Sequence, residues 1–233
     1  MKAYLASLAA RLQGRLTALV ALSLPFLIRR SLNHDLHGVY AKGNWSALSP
    51  GGALLGANHH SWWDLYLAWF IGQKLGRPLS GLILPETLTK FPFFRAIGGV
   101  PTNELREALR RLRRGELLIV FPEGELRAAG RVGALQPGLG FLAARAPAPV
   151  YPVAVRAMMR GAQHPEVFIV LGDAVSPDEV AGALNELLGG LEAELARADP
   201  EKPLPGFTCW SGGAASTNER VAWVGRLLGR RKR

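Results

Sequence analysis

The chain contains one cysteine, Cys209, among its 233 residues. That excludes a disulfide framework and any zinc site built from several thiolates. Low cysteine use fits a protein working on the cytoplasmic side of a membrane. Acidic residues are also in deficit: 28 Lys plus Arg face 18 Asp plus Glu, a formal net charge of +10. Internal repeats and low-complexity linkers are missing, which points to one domain. No apolar run reaches the ~20 residues of a membrane-spanning helix. The longest near the start, Leu16–Ile28, has 13. There is no G-x-S-x-G elbow of a serine hydrolase, and no nucleic-acid-binding motif with aromatics set among its basic residues.

What is present is both basic and greasy. Hydrophobic residues make up 48% and mean hydropathy is +0.11, enough to exclude a disordered chain and to bury a core unaided. The combination favours an anionic membrane surface over nucleic acid. Residues 1–32 read as an amphipathic or hydrophobic helical segment. Two placements fit it: lying in the membrane interface, or packing on the protein's own core. Pro25 is expected to kink or end that helix. A signal peptide fits less well, because no small-residue cleavage site follows. At the other end, Val221, Val224, Leu227 and Leu228 recur at helical spacing before four consecutive basic residues.

Between the ends, Ala53–Ala57, Leu82–Leu84, Leu117–Phe121, Val150–Val155 and Val167–Leu171 read as strands buried on both faces. Leu105, Ala108, Leu109 and Leu112 mark a helix, with Asn103 as N-cap and Gly115 as its stop. Ser176-Pro-Asp-Glu179 opens another, a capping box ahead of the stripe Val180, Leu184, Leu187, Leu188, Leu191 and Leu195. Strands alternating with helices predict a single α/β domain, 33–198, with a mostly parallel or mixed sheet flanked by helices. Residues 199–233 are expected to form a loop and a basic C-terminal helix packed on the same domain.

The stretch Asn58-His-His-Ser-Trp-Trp-Asp64 carries the chemistry. On one continuous helix His59 and Asp64 would stand about 140° apart and could not meet. They meet if a helix starts between them, with Ser61 as N-cap and Asp64 three residues on. His59 then lies in the preceding loop, where a carboxylate on Nδ1–H fixes the tautomer and leaves Nε2 to accept a proton. A helix cap beside an ordinary loop histidine is the plainer alternative on spacing alone. Leu117-Leu-Ile-Val-Phe-Pro-Glu-Gly124 runs from a strand into a turn, at the strand end where α/β sheets bind ligands. There Glu123 could hold substrate hydroxyls and Gly124 would permit close approach; a plain turn is the alternative. The basic helix holding Arg106, Arg110, Arg111, Arg113 and Arg114 suits either coenzyme A phosphates or an acidic carrier, or simply solvent. Trp62 and Trp63 read as an acyl pocket lining, interface anchors or core. His34-Asp-Leu-His37 has metal-like spacing but no third ligand nearby, so no metal site is expected.

Asn58-His59-x-Ser61-x-x-Asp64 resembles the NHxSxxD block of the glycerolipid acyltransferase family, which includes glycerol-3-phosphate and 1-acylglycerol-3-phosphate acyltransferases. Phe121-Pro-Glu-Gly124 resembles its FPEG block. Ala148-Pro-Val-Tyr-Pro-Val-Ala-Val155 resembles its late P-V-x-P-V-x-I block, and Leu88-Thr-Lys-Phe-Pro-Phe-Phe94 with Gly98-Gly-Val-Pro101 the remaining one. The four lie in family order over residues 54–155. The resemblance implies acyl transfer from acyl-CoA or acyl carrier protein to a lipid hydroxyl. It implies His59 as base, Asp64 as its orienter, and Asn58, Ser61, Glu123, Gly124 and Arg127 at the substrate. No cofactor beyond the co-substrate is implied, and the site of action is the cytoplasmic face of the cell membrane, peripheral or monotopic. Two departures matter. Where the family carries an arginine after G-x-(I/V), this chain reads Pro101-Thr-Asn-Glu104. After FPEG it reads Glu125-Leu126-Arg127, the arginine one position late. Those arginines are associated with the acceptor's phosphate, so a phosphorylated and a phosphate-free acceptor both stand. A thioesterase and a non-catalytic membrane-binding relative are the remaining alternatives.

Overall fold

The structure is a computed structural model that describes residues 2–146 and 148–222. Eight strands form one mixed sheet in the order β4-β3-β5-β2-β6-β7-β1-β8. They are β1 Gly38–Lys42, β2 Ala53–Ala57, β3 Leu79–Ile83, β4 Gly99–Pro101, β5 Leu117–Val120, β6 Val150–Met158, β7 Glu166–Leu171 and β8 Thr208–Gly212. From β4 to β6 all pairings are parallel. The β6–β7 and β1–β8 pairs are antiparallel, and β1–β7 is parallel.

Neighbouring side chains leave a strand on opposite faces, so each fully apolar strand feeds two cores. Leu55, Ile119, Val153 and Ile169 join α1 (Lys2–Asp35) and α2 (Asp64–Leu75) on one face. Leu54, Leu118 and Ala154 meet α4 (Leu105–Arg113), α5 (Gly138–Arg145) and α6 (Val180–Arg197) on the other. A short helix, α3 (Pro85–Lys90), follows β3.

The α6 stripe is buried at Val180, Leu184, Leu188, Leu191 and Leu195. The expected capping box forms in one half: Glu179 accepts from the Ser176 N–H at 3.1 Å and from its hydroxyl at 2.6 Å, but Glu179 itself, not Ser176, is the N-cap of α6. The α4 helix begins one residue later than expected. Glu104 rather than Asn103 occupies the N-cap, and Gly115 follows the helix with φ +86°.

Three expectations change. The helix α1 does not end at Pro25 but continues to Asp35. A proline in a helix interior costs about 3 kcal/mol. Here Leu24, Ile28, Leu32 and Leu36 on the same helix flank and its exit are buried, each contributing roughly 1.5–3 kcal/mol, so packing outweighs the break. The strand read at Leu82–Leu84 starts at Leu79, because the buried Ser80 bonds Glu116 and Arg111 inside an otherwise apolar layer. The loop expected from 199 contains β8, one of the sheet's two edge strands. Residues 217–222 are helical. The basic run and Val224, Leu227 and Leu228 lie outside the described residues.

Candidate active site

The loops that leave β2 and β5 are neighbours, because these strands pair in parallel and end together. The first loop is anchored to β6, which outruns β2. Asn58 accepts the Val155 N–H at 2.7 Å and donates to its carbonyl at 3.0 Å. The amide thereby replaces the strand partner that β2 no longer supplies. Two residues on, His60 Nε2 accepts the Ala157 N–H at 3.1 Å. Burial pushes the His60 imidazole below its ordinary range, which suits a ring that must keep an acceptor lone pair.

Between these anchors stands His59. Its Nδ1 lies 2.7 Å from Asp64 Oδ2. The same carboxylate oxygen accepts the backbone N–H groups of His60 and Ser61, each at 2.9 Å. Three donors on one oxygen fix the carboxylate, and the carboxylate fixes the ring. With Nδ1–H directed at Asp64, the lone pair is on Nε2. The ring stacks on Phe121, centroids 4.6 Å apart, and its side chain is 26% exposed while that of Asp64 is 0% exposed. Only the histidine is reachable.

The regular part of α2 starts at Asp64, after a turn in which Asp64 N–H meets the Ser61 carbonyl. The Ser61 hydroxyl accepts the Trp63 N–H at 3.1 Å. The N-cap is therefore Trp63 and not Ser61 as expected: Ser61 opens the preceding turn, and the carboxylate of Asp64, the first helical residue, bonds back to the Ser61 N–H.

The β5 loop closes the site. Glu123 accepts the His59 backbone N–H at 2.8 Å, and the Arg127 N–H donates to the His59 carbonyl at 2.8 Å. Gly124 turns this loop with φ +77°, and a Cβ there would come within 3.0 Å of the Gln136 side chain. Gly124→Ala is expected to lower stability by ~1–2 kcal/mol, the usual cost of a left-handed conformation for an L-residue. Thermal melts check this, and an unchanged melting temperature would mean the loop has another low-energy shape.

A cleft of about 870 Å³ opens over the ends of β2, β3 and β5. His59, Glu123 and Gly124 line it, together with Leu82, Leu105 and Phe121. Of the other expected site residues, Asn58 and Ser61 are buried behind the loop and do not line the cleft. The Arg127 guanidinium pairs with Glu125 at 2.5 Å and also lies off the lining. Trp63 packs on the core whereas Trp62 is exposed. On α4, Arg110 and Arg111 both pair with Glu107. His34 bonds Asp35, and His37 bonds the Ala214 carbonyl, so the two rings serve different partners.

The acyltransferase family model matches residues 39–156, just over half of the chain and the whole of this site. The chain belongs to the acyltransferase family. Among curated protein sequences none matches it significantly. Among solved structures it is similar to the 1-acyl-sn-glycerophosphate acyltransferase PlsC of Thermotoga maritima. That likeness has a TM-score of 0.53 and 21% identity over 80% of this chain and 84% of that one. The acyltransferase thus shares its fold with PlsC. The His60 and Asn58 anchors could not be found from local spacing, because both depend on how far β6 extends.

Proposed function

We propose that this acyltransferase moves a fatty acyl group from an acyl thioester, acyl-CoA or acyl carrier protein, to a lipid hydroxyl, with His59 as general base. The observation that supports this most directly is the His59–Asp64 pair at the wall of a large, mainly apolar cleft. Nε2 takes the proton of the acceptor hydroxyl as its oxygen attacks the thioester carbonyl. The tetrahedral oxyanion then collapses, the carbon–sulfur bond breaks, and the proton on the imidazolium passes to the departing thiolate. Glu123 accepts hydroxyls of the acceptor, and Gly124 lets the backbone approach it. Asn58, Ser61 and Asp64 act by holding the base.

Thiol release with and without acceptor tests the reaction class. Thiol release that rises with acceptor, matched by esterified product, is expected. Equal release of free fatty acid without acceptor would assign the same base to water and make the protein a thioesterase.

The surface reading is peripheral or monotopic attachment to the cytoplasmic face of an anionic membrane. Among the described residues no helix is long and apolar enough to cross a bilayer. On α1, however, Leu16, Leu19, Leu22 and Phe26 are 62–80% exposed at helical spacing, an apolar face on a helix whose other end is anchored in the core. Leu84 and Leu126, both exposed, carry apolar surface to the cleft itself. Replacing Leu19, Leu22 and Phe26 together with serine is expected to weaken binding to phosphatidylglycerol-containing vesicles more than tenfold. One fully buried side chain alone contributes about that much. Vesicle flotation measures it, and unchanged flotation would place the attachment elsewhere.

A further inference from the structure

Charge in the cleft separates acceptors that differ by a phosphate. Among the described residues its lining contains no lysine and no arginine. It does contain two carboxylates, Glu123 and Glu125. Glu125 is neutralised by Arg127. Glu123 is not: it is 8% exposed, its Oε1 accepts the His59 N–H, and no described residue pairs with it as a cation. Apart from His59, whose Nδ1 is bonded to Asp64, the other polar side chains on the wall are the uncharged Thr87, Thr102 and Gln136. We infer that the acceptor is an uncharged lipid alcohol, with no phosphate on the head group that enters the cleft. The inference rests on the acyl-transfer reading and narrows its substrate class.

The physical reasons act in one direction. A phosphate monoester must lose water on entering and recover that loss from charge-assisted bonds, which a guanidinium or ammonium would supply. None lines this cleft, and the unpaired Glu123 repels the anion from close range in a partly dry setting. An alcohol meets the opposite situation. Its O–H donates to the carboxylate, one of the stronger hydrogen bonds. Its other hydroxyls find threonine and amide groups that both donate and accept. The apolar majority of the wall accommodates the chain it carries.

The test uses a pair of acceptors differing only in the phosphate. Monooleoylglycerol and 1-oleoylglycerol 3-phosphate are presented at equal mole fraction in neutral detergent micelles, with oleoyl-CoA and, separately, oleoyl-acyl carrier protein as donor. The uncharged acceptor is expected to have at least a tenfold higher kcat/KM. Equal or better use of the phosphate form overturns the inference. Binding is read independently by titration calorimetry, with monohexanoylglycerol and its 3-phosphate against the full chain and no thioester. At least tenfold tighter binding of the neutral ester is expected. A ratio at or below one, or no binding of the neutral ester, overturns the inference. Leu126 lines the cleft and is 56% exposed, so Leu126→Arg should fold and supply the missing cation. It is expected to improve phosphate-ester binding at least fivefold; no change would mean that cleft charge does not set acceptor choice. Absence of acyl transfer to either acceptor with both donors defeats the acyl-transfer reading, while the calorimetric ratio still decides the question of charge.

Discussion

His59→Ala is expected to reduce turnover by about 10²–10⁴-fold, the usual contribution of a positioned general base, with little change in melting temperature. The ring makes one side-chain hydrogen bond and one stacking contact, and it is a quarter exposed to the cleft. Removing it leaves a space that water can enter, not a sealed cavity. Asp64 retains two backbone donors, from His60 and Ser61. The stability change should therefore stay within ~1 kcal/mol, well below that of a core truncation. Acyl-transfer kinetics alongside thermal melts distinguish the effects. Turnover close to wild type would remove His59 from the chemistry, and a large fall in melting temperature would assign it a structural part.

Asp64→Asn should fail in both measurements. If the amide oxygen takes the place of Oδ2, it keeps the two backbone donors, and the –NH₂ falls where Oδ1 is now. That position is buried and without a hydrogen-bond partner among the described residues. An amide donor left unpaired there costs ~1–3 kcal/mol. If the amide turns round instead, three N–H donors confront an –NH₂ and the loop loses its shape. In either orientation the imidazole faces a neutral group in place of a carboxylate, or the wrong end of an amide. The ring's tautomer and angle are then no longer set, and turnover is expected to fall by roughly 10²–10⁴-fold. The joint signature, slow and less stable, contrasts with the kinetic defect alone for His59→Ala. A variant with wild-type turnover would show that Asp64 serves only the helix cap.

The parts of the fold most legible in the sequence are those whose burial is one-sided or total. The apolar runs of β2, β5, β6 and β7 sit in the middle of the sheet, and the α6 stripe faces one core. Ser80 hid the first half of β3, because its hydroxyl is acceptable inside only through partners 31 and 36 residues away. β8 has a mixed and largely exposed composition, and it is a strand because β1 lies beside it. The His59–Asp64 proximity could be reasoned out from a helix start. The duties of Asn58 and His60 could not, since each is defined by a strand almost a hundred residues downstream. Pro25 does not end α1, because the core on which the second half of the helix rests outweighs the local break.

Both main-chain groups of His59 are held by the β5 loop, its N–H by Glu123 and its carbonyl by the Arg127 amide. Two segments some sixty residues apart are therefore riveted across a single residue. Exchanging residues 121–127 for those of a relative, in search of new acceptors, would also unfasten the base. A graft that respects the joint has to carry the turn beginning at Asn58 along with it, as one transplantable part.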